Sequence, residues 1–345
     1  MPIADPSPVL PPIQHTPAAW YGPEMAQRED WIEWLSDAEI DEAEATSARL
    51  CEDPSGPASW RAADHPLPLL APRLRRILHD VLDGRGFALL RGLPVQRWSE
   101  AQACAAFMLV GAHLGHARPQ NAKGDLLGHV MDLGLRSTDP AVRIYQTSER
   151  QTFHTDSCDI VALLCLQTAR SGGQSALVSS TALFNEMRRR RPDLAALLFQ
   201  PLATDRRGEV NTGQRPFFNV PVFNWWPLGA HGQLSAIYQR QYIDSAQRFA
   251  EAARLTPEIH EALDLFDALS NDPALHFLMD LKQGDIQLVH NHTLLHDRTA
   301  FVDWPEPERR RHLLRLWLAP PEARPLPPVF AERYGSVTPG ERGGV

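Results

Sequence analysis

Hydrophobic positions change their period along this chain. Over residues 27–50, Trp31, Trp34 and Leu35 fall on one stripe, which predicts a helix, with Ser36 suited to cap the residues after it. Residues 54–68 read as a loop, 71–83 as a second helix and 98–114 as a third, with Gly86–Leu93 (GFALLRGL) a strand closed by Pro94. Beyond that, short apolar runs dominate. They predict strands at 143–147, 159–168, 175–180, 200–206, 217–225, 233–239, 285–290 and 312–318, with turn signals such as Ser171-Gly172-Gly173 and Lys282-Gln283-Gly284 between them. Helices at 181–199 and 256–270 interrupt the series. So many strands without regular strand–helix alternation predict a mostly β sandwich or barrel with added helices, in one domain spanning 18–320. Its prolines make residues 1–17 a flexible or extended lead, and the Pro- and Gly-rich tail, 321–345, is expected on the surface.

Composition narrows the function classes. The net charge of −8 gives no basic face for phosphodiester backbones or anionic lipid, so neither nucleic acid nor a membrane is an expected partner. The run Arg188–Arg191 reads as a solvated helix end. Four cysteines without a CxxC make no disulfide scaffold; Cys158 and Cys165 read as small core residues. There is no signal-like start and no apolar run of membrane-spanning length, so a reduced, cytoplasmic protein is expected.

Three strings carry candidate chemistry. In Phe153-His154-Thr155-Asp156, a strand would point His154 and Asp156 to one side, offering two of the three ligands of a facial iron triad. Taken alone, such a triplet is common. Further on, His290-Asn291-His292-Thr293-Leu294-Leu295-His296 places three histidines within seven residues. His296 is the candidate third ligand, and His290 and His292 read as exposed turn residues. In Arg311–Leu318 (RHLLRLWL), Leu314, Leu316 and Leu318 alternate with Arg315 and Trp317, a half-buried strand carrying an arginine. A buried guanidinium needs a carboxylate, from the protein or from a ligand. Arg309 and Arg310 read as surface charges.

Taken together, FHTD (153–156), SGGQS (171–175), LLHDRTAF (294–301) and RHLLRLWL (311–318) resemble the TauD/TfdA family of Fe(II)- and 2-oxoglutarate-dependent dioxygenases, and a weaker likeness begins at AWYGPEM (19–25). The resemblance implies a double-stranded β-helix (jelly roll) core. It implies that His154, Asp156 and His296 ligate iron and that Arg311 pairs with the distal carboxylate of 2-oxoglutarate. Ser175 stands where the family often has Thr and would bond the same carboxylate; Thr181 is a poorer stand-in. Arg315 matches a position that binds an acidic group of the primary substrate or supports the co-substrate. With O2, such an enzyme oxidises an unactivated C–H bond of a small molecule and releases succinate and CO2. An anionic or amino-acid-like substrate suits Arg315, and homo-oligomers are common among relatives.

Tyr145, Gln151 and Asn291 adjoin these strings and are candidate cavity residues. The segment 207–226 reads either as a substrate cover or as an aromatic core edge. Two other readings compete: a zinc hydrolase, which needs no co-substrate clamp, and a non-catalytic jelly-roll binding protein, which would not need the full ligand set. Within the oxygenase reading, desaturation, cyclisation or fragment cleavage are alternatives to hydroxylation.

Overall fold

The computed structural model describes residues 10–136, 143–210, 213–228 and 231–345. In chain order the elements are α1 (Gly22–Ala26), β1 (Ile32–Trp34), α2 (Asp37–Leu50), α3 (Ala71–Asp83), β2 (Phe87–Arg91), α4 (Glu100–Leu114), β3 (His116–Ala117), β4 (Leu127–Val130), β5 (Gln151–His154), β6 (Ile160–Gln167), β7 (Ser171–Gly172) and β8 (Ser175–Ser179). Next come α5 (Ser180–Arg190), α6 (Pro192–Leu197), β9 (Leu202–Asp205), β10 (Phe217–Val220), β11 (Phe223–Leu228), β12 (His231–Ala236), α7 (Arg240–Ala246) and α8 (Pro257–Ser270). The chain finishes with β13 (His276–Met279), β14 (Ile286–His290), β15 (Leu294–Arg298), β16 (Phe301–Val302), β17 (His312–Ala319) and α9 (Ala331–Tyr334).

Local chemistry sets several boundaries. Ser36 is extended, and its hydroxyl accepts from Glu39 N while the Glu39 carboxylate takes the Ser36 N–H. This capping box starts α2 at Asp37, so the expected 27–50 helix is instead a short strand followed by a helix. The helix expected at 181–199 breaks in two at Pro192, which opens α6. The strand expected at 143–147 is a 3-10 turn over Ile144–Gln146. Helix accounts for 32% of the structure and strand for 23%, so the expected mostly β class is corrected to a mixed one.

Seven strands form a large sheet in the order β1-β2-β14-β6-β17-β3, with β4 also on β17. Four form a small sheet, β13-β8-β15-β5. The period of two along each strand explains the layers. On the large sheet, Ala88, Leu90, Leu288, Leu314 and Leu316 face α2, α3 and α4, while Phe87, Leu89, Val289 and Trp317 meet Leu177, Phe277 and Leu294 of the small sheet. The far side of the small sheet, with Ala176, Val178 and Leu295, packs on α5, α6 and α8. Both faces of β17 are therefore buried, not one. Each fully buried Leu or Phe contributes about 1.5–3 kcal/mol to this four-layer stack.

The two ends differ from expectation. Residues 1–9 of the proline-rich lead lie outside the described residues, whereas residues 10–17 are tied to α5: Gln14 N–H donates to Asn185 Oδ1 (2.8 Å) and Arg188 Nε to the Pro11 carbonyl (2.7 Å). The tail does not run over the surface. Arg342 is fully buried and forks onto Asp159, itself fully buried, at 2.7–3.1 Å. Phe330 and Tyr334 pack beside it around His292. No helix among the described residues is long and apolar enough to cross a membrane.

Removing one partner of a buried ion pair leaves the other charge uncompensated. Arg342→Met is expected to destabilise the fold by about 3–5 kcal/mol in urea titrations, and Asp159→Asn on top of it should restore part of that loss. An Arg342→Met protein of undiminished stability would show that the pair contributes nothing.

Candidate active site

β5 and β15 pair antiparallel, and their register sets His154 directly opposite His296. The two rings lie 4.2 Å apart between centroids. Asp156 arrives differently from the sequence expectation. β5 ends at His154, so strand alternation does not aim the carboxylate; a turn does. Three bonds fix that turn: Thr155 N–H donates to the Tyr238 carbonyl (2.9 Å), Asp156 N–H to Asn291 Oδ1 (2.9 Å) and Trp317 Nε1–H to Asp156 Oδ2 (2.9 Å). The carboxylate then stands 3.8 Å from Nε2 of each histidine. One ligand atom from each of the three residues lies within 4.8 Å of the others.

The donor set fits a divalent metal. His154 Nδ1 lies 2.8 Å from the Thr152 carbonyl, which assigns the proton to Nδ1 and leaves Nε2 as the lone-pair donor, facing Gln151. Burial, His154 and Arg315 pull His296 down to about 3, and burial likewise lowers His154, so both imidazoles are neutral at pH 7. For Asp156, burial acts to raise the pKa, but Arg315, the two imidazoles and Trp317 outweigh it and hold the carboxyl below its usual value. Two neutral imidazoles and one carboxylate, with a side of the site open to a cavity, are the requirements of a facial triad.

A narrow chamber of about 40 Å³ leads from the triad to Ser175, Arg298 and Arg311. Arg311 is buried, and no carboxylate among the described residues pairs with its guanidinium. Asp303 takes its backbone N–H (2.7 Å) instead, and Arg311 Nη1 has no hydrogen-bond partner among the described residues. Burial lowers its pKa to about 10, so it stays charged at neutral pH. Gly173 makes room for it: φ is +72° there, and a Cβ would stand 3.0 Å from Arg311 Nε. Ser175 Oγ is held by Gln287 at 2.9–3.0 Å. Arg315 lies on β17, two residues from Trp317 and on the same face. Its Nε donates to Gln120 Oε1 (2.7 Å), one Nη stands 3.5 Å from Asp156, and its plane lies over Tyr145.

The remaining predicted residues divide. Tyr145 and Gln151 line the chamber and also a larger outer cavity of about 460 Å³. Asn291 lines neither; it is buried behind Asp156 and holds that residue's backbone, so its expected cavity role is corrected. Thr181 lies in the first turn of α5 and also lines neither. His290 and His292 are fully buried, not exposed: His290 bonds Thr293 Oγ1 (2.9 Å) and His292 Nε2 bonds Asp159 (3.0 Å). In the 207–226 segment, Phe217 and Phe223 are core, while Arg207–Glu209, Phe218 and Val220 line the outer cavity; 211 and 212 lie outside the described residues. Sequence reading missed Arg298 and Trp317. Both were legible by period: Arg298 is two residues from His296 on one strand, and Trp317 two from Arg315. Arg298 is buried beside Arg311, and burial, then Arg311, lower its pKa to about 10.

Two imidazoles, a carboxylate and a chamber ending on under-paired guanidinium groups suit a mononuclear metal site with a place for an acidic co-substrate. Comparison with known proteins agrees. The family described as "Taurine catabolism dioxygenase TauD, TfdA family" matches residues 53–317, and the chain belongs to it. FR-33289 synthase of Streptomyces rubellomurinus is 33% identical over 276 residues, covering 78% of this chain and 80% of that one. A uridine-5'-phosphate dioxygenase of Amycolatopsis sp. is 29% identical over 187 residues, 51% of this chain and 63% of that one. Asparagine oxygenase, solved with Fe(II), 3-hydroxyasparagine and succinate, superposes with TM-score 0.65 at 18% identity, covering 84% of this chain and 93% of that one. The shared fold is of the jelly-roll type. The chain is an Fe(II)- and 2-oxoglutarate-dependent oxidoreductase that uses O2.

His154, His290, His292 and His296 all have pKa values below the ordinary 6.5 because burial disfavours their charged form. Unfolding releases them to bind protons below pH 6.5. Their contribution to the stability of the metal-free chain is therefore complete above that pH and is lost progressively as pH falls below it, down to about 3 for His296, each group contributing up to about 1.4 kcal/mol per pH unit. Urea midpoints measured at pH 7.5, 6 and 5 should fall in that order. Equal midpoints would mean that the histidines are charged in the folded state.

Proposed function

We propose that His154, Asp156 and His296 hold the iron and that Arg311, with Ser175, binds the distal carboxylate of 2-oxoglutarate in the inner chamber. The observation that carries this reading is the buried Arg311 guanidinium, which lacks a protein carboxylate and shares a chamber with the triad. A zinc hydrolase would have no use for it. Iron with 2-oxoglutarate supplies the oxidising power: O2 and the keto acid are consumed, succinate and CO2 leave, and one oxygen atom goes to the substrate C–H.

The protein's own tasks are physical. Trp317 and Arg315 fix the direction of the Asp156 carboxylate. Thr152 fixes the tautomer of His154. Two sheets and two helix layers keep water from the chamber, which protects a strong oxidant from side reactions. Arg315, between the chamber and the outer cavity, assists the co-substrate and faces an acidic group of the primary substrate. Tyr145 and Gln151 complete the passage.

We read the substrate as a small anionic or amino-acid-like molecule and the outcome as hydroxylation, with desaturation, cyclisation or fragment cleavage reachable at the same centre. The names of similar proteins, on asparagine and on uridine 5'-phosphate, support a small polar substrate. We read the facing sheets as a double-stranded β-helix, residues 18–320 as the catalytic unit, and the protein as cytoplasmic, its four thiols being unpaired. We read a homo-oligomer as the assembly that the family resemblance implies.

Anaerobic addition of Fe(II) and 2-oxoglutarate should produce a weak visible charge-transfer band. His296→Ala should abolish it. His292→Ala should keep it while lowering stability, since His292 supports Asp159. Arg311→Ala should weaken 2-oxoglutarate binding about 10–100-fold with iron binding unchanged. Equal loss of both ligands would make Arg311 merely structural.

A further inference from the structure

The outer cavity has an unusual charge for so acidic a chain. Lys123, Arg143, Arg206, Arg207 and Arg333 line it, and Arg315 stands at its inner end. Its carboxylates do not offset these. Asp156 belongs to the metal site. Asp205 is fully buried and engaged by Ser245 Oγ (2.8 Å) and Arg248 (3.1 Å). That leaves Glu209, on which two arginines converge: Arg143 at 2.8 Å and Arg333 at 3.2 Å. Neutral donors stand beside them. Tyr242 Oη bonds Arg143 (3.2 Å) and Ser157 Oγ bonds Arg333 (2.8 Å). One internal carboxylate shared by two guanidinium groups leaves a positive charge uncompensated in a partly enclosed site. A monoanionic ligand end would not neutralise both arginines once Glu209 had moved aside. A tetrahedral dianion would, with oxygens enough for both forks.

We propose that the outer cavity binds the primary substrate by a phosphorus oxyanion, a phosphate monoester or a phosphonate, seated on Arg143 and Arg333, with Glu209 holding these arginines in place until the ligand displaces it. This rests on the oxygenase reading, since the anchored end lies in the outer cavity while the group to be oxidised enters past Arg315 and Tyr145, which border both spaces. Anchoring at a distance positions a C–H bond toward the metal site.

The test is calorimetric binding to the anaerobic Fe(II)–2-oxoglutarate-loaded protein, with two matched pairs of probes: UMP against uridine, and propylphosphonate against butyrate. At least one phosphorus probe should bind about tenfold or more tightly than its partner. Which of the two does so tells phosphate ester from phosphonate. Arg143→Met should remove that advantage, while Glu209→Gln, which deletes the internal competitor, should increase it. A general structural role for either side chain would not give opposite signs. The visible band serves as the control for folding and loading. If the band forms and butyrate and uridine bind as well as their partners, or Arg143→Met changes nothing, the phosphorus site is wrong. If a phosphorus probe binds through Arg143 but no band forms, the site stands and the oxygenase reading fails.

Discussion

The register between β5 and β15 governs this protein. Pairing His154 with His296 across two strands sets two imidazoles at a separation that only a bridging ligand makes useful. A slip of one residue would turn one of the two rings toward the helix layer and part the pair, because side chains alternate faces. The same register points Arg298 inward, beside Arg311 and the Ser175 end of β8. Site and small sheet are thus one object. The helices behind it, α5, α6 and α8, bury the alternate residues of these strands and keep the register from slipping.

Much of this was legible in the sequence, and the failures are instructive. Helices bounded by a strong cap or proline were readable: α3 runs over the residues expected, and α4 starts after Ser99. The grouping of His154, Asp156 and His296 in space was readable because a third histidine and Arg311 accompany an otherwise common triplet. The route to Asp156 was not, since its turn is fixed by Tyr238, Asn291 and Trp317, partners 83 to 161 residues away. His290 and His292 were misjudged for the same reason. A histidine pair reads as polar until one knows that Asp159 and Thr293 meet it inside the core. The tail was misjudged because proline and glycine composition says nothing about a single arginine with a buried counter-ion.

Charge is distributed against the bulk figure. The chain is acidic overall, yet its cations concentrate along the path from the outer cavity to the inner chamber. Arginine suits this use. It stays charged when burial lowers its pKa to about 10, as at Arg298 and Arg311, where a lysine would more readily surrender its proton. Such a path draws anions inward and makes their binding sensitive to salt at the mouth, less so in the chamber.

The Arg342–Asp159 pair joins residues 183 positions apart, and Asp159 sits three residues beyond Asp156. During synthesis the loop that presents Asp156 therefore waits, without this brace, until Arg342 has left the ribosome. Both histidines of the triad are made well before the pair that steadies their neighbour. Arg342 follows the last strand, so this brace can close only after every strand of both sheets has been made.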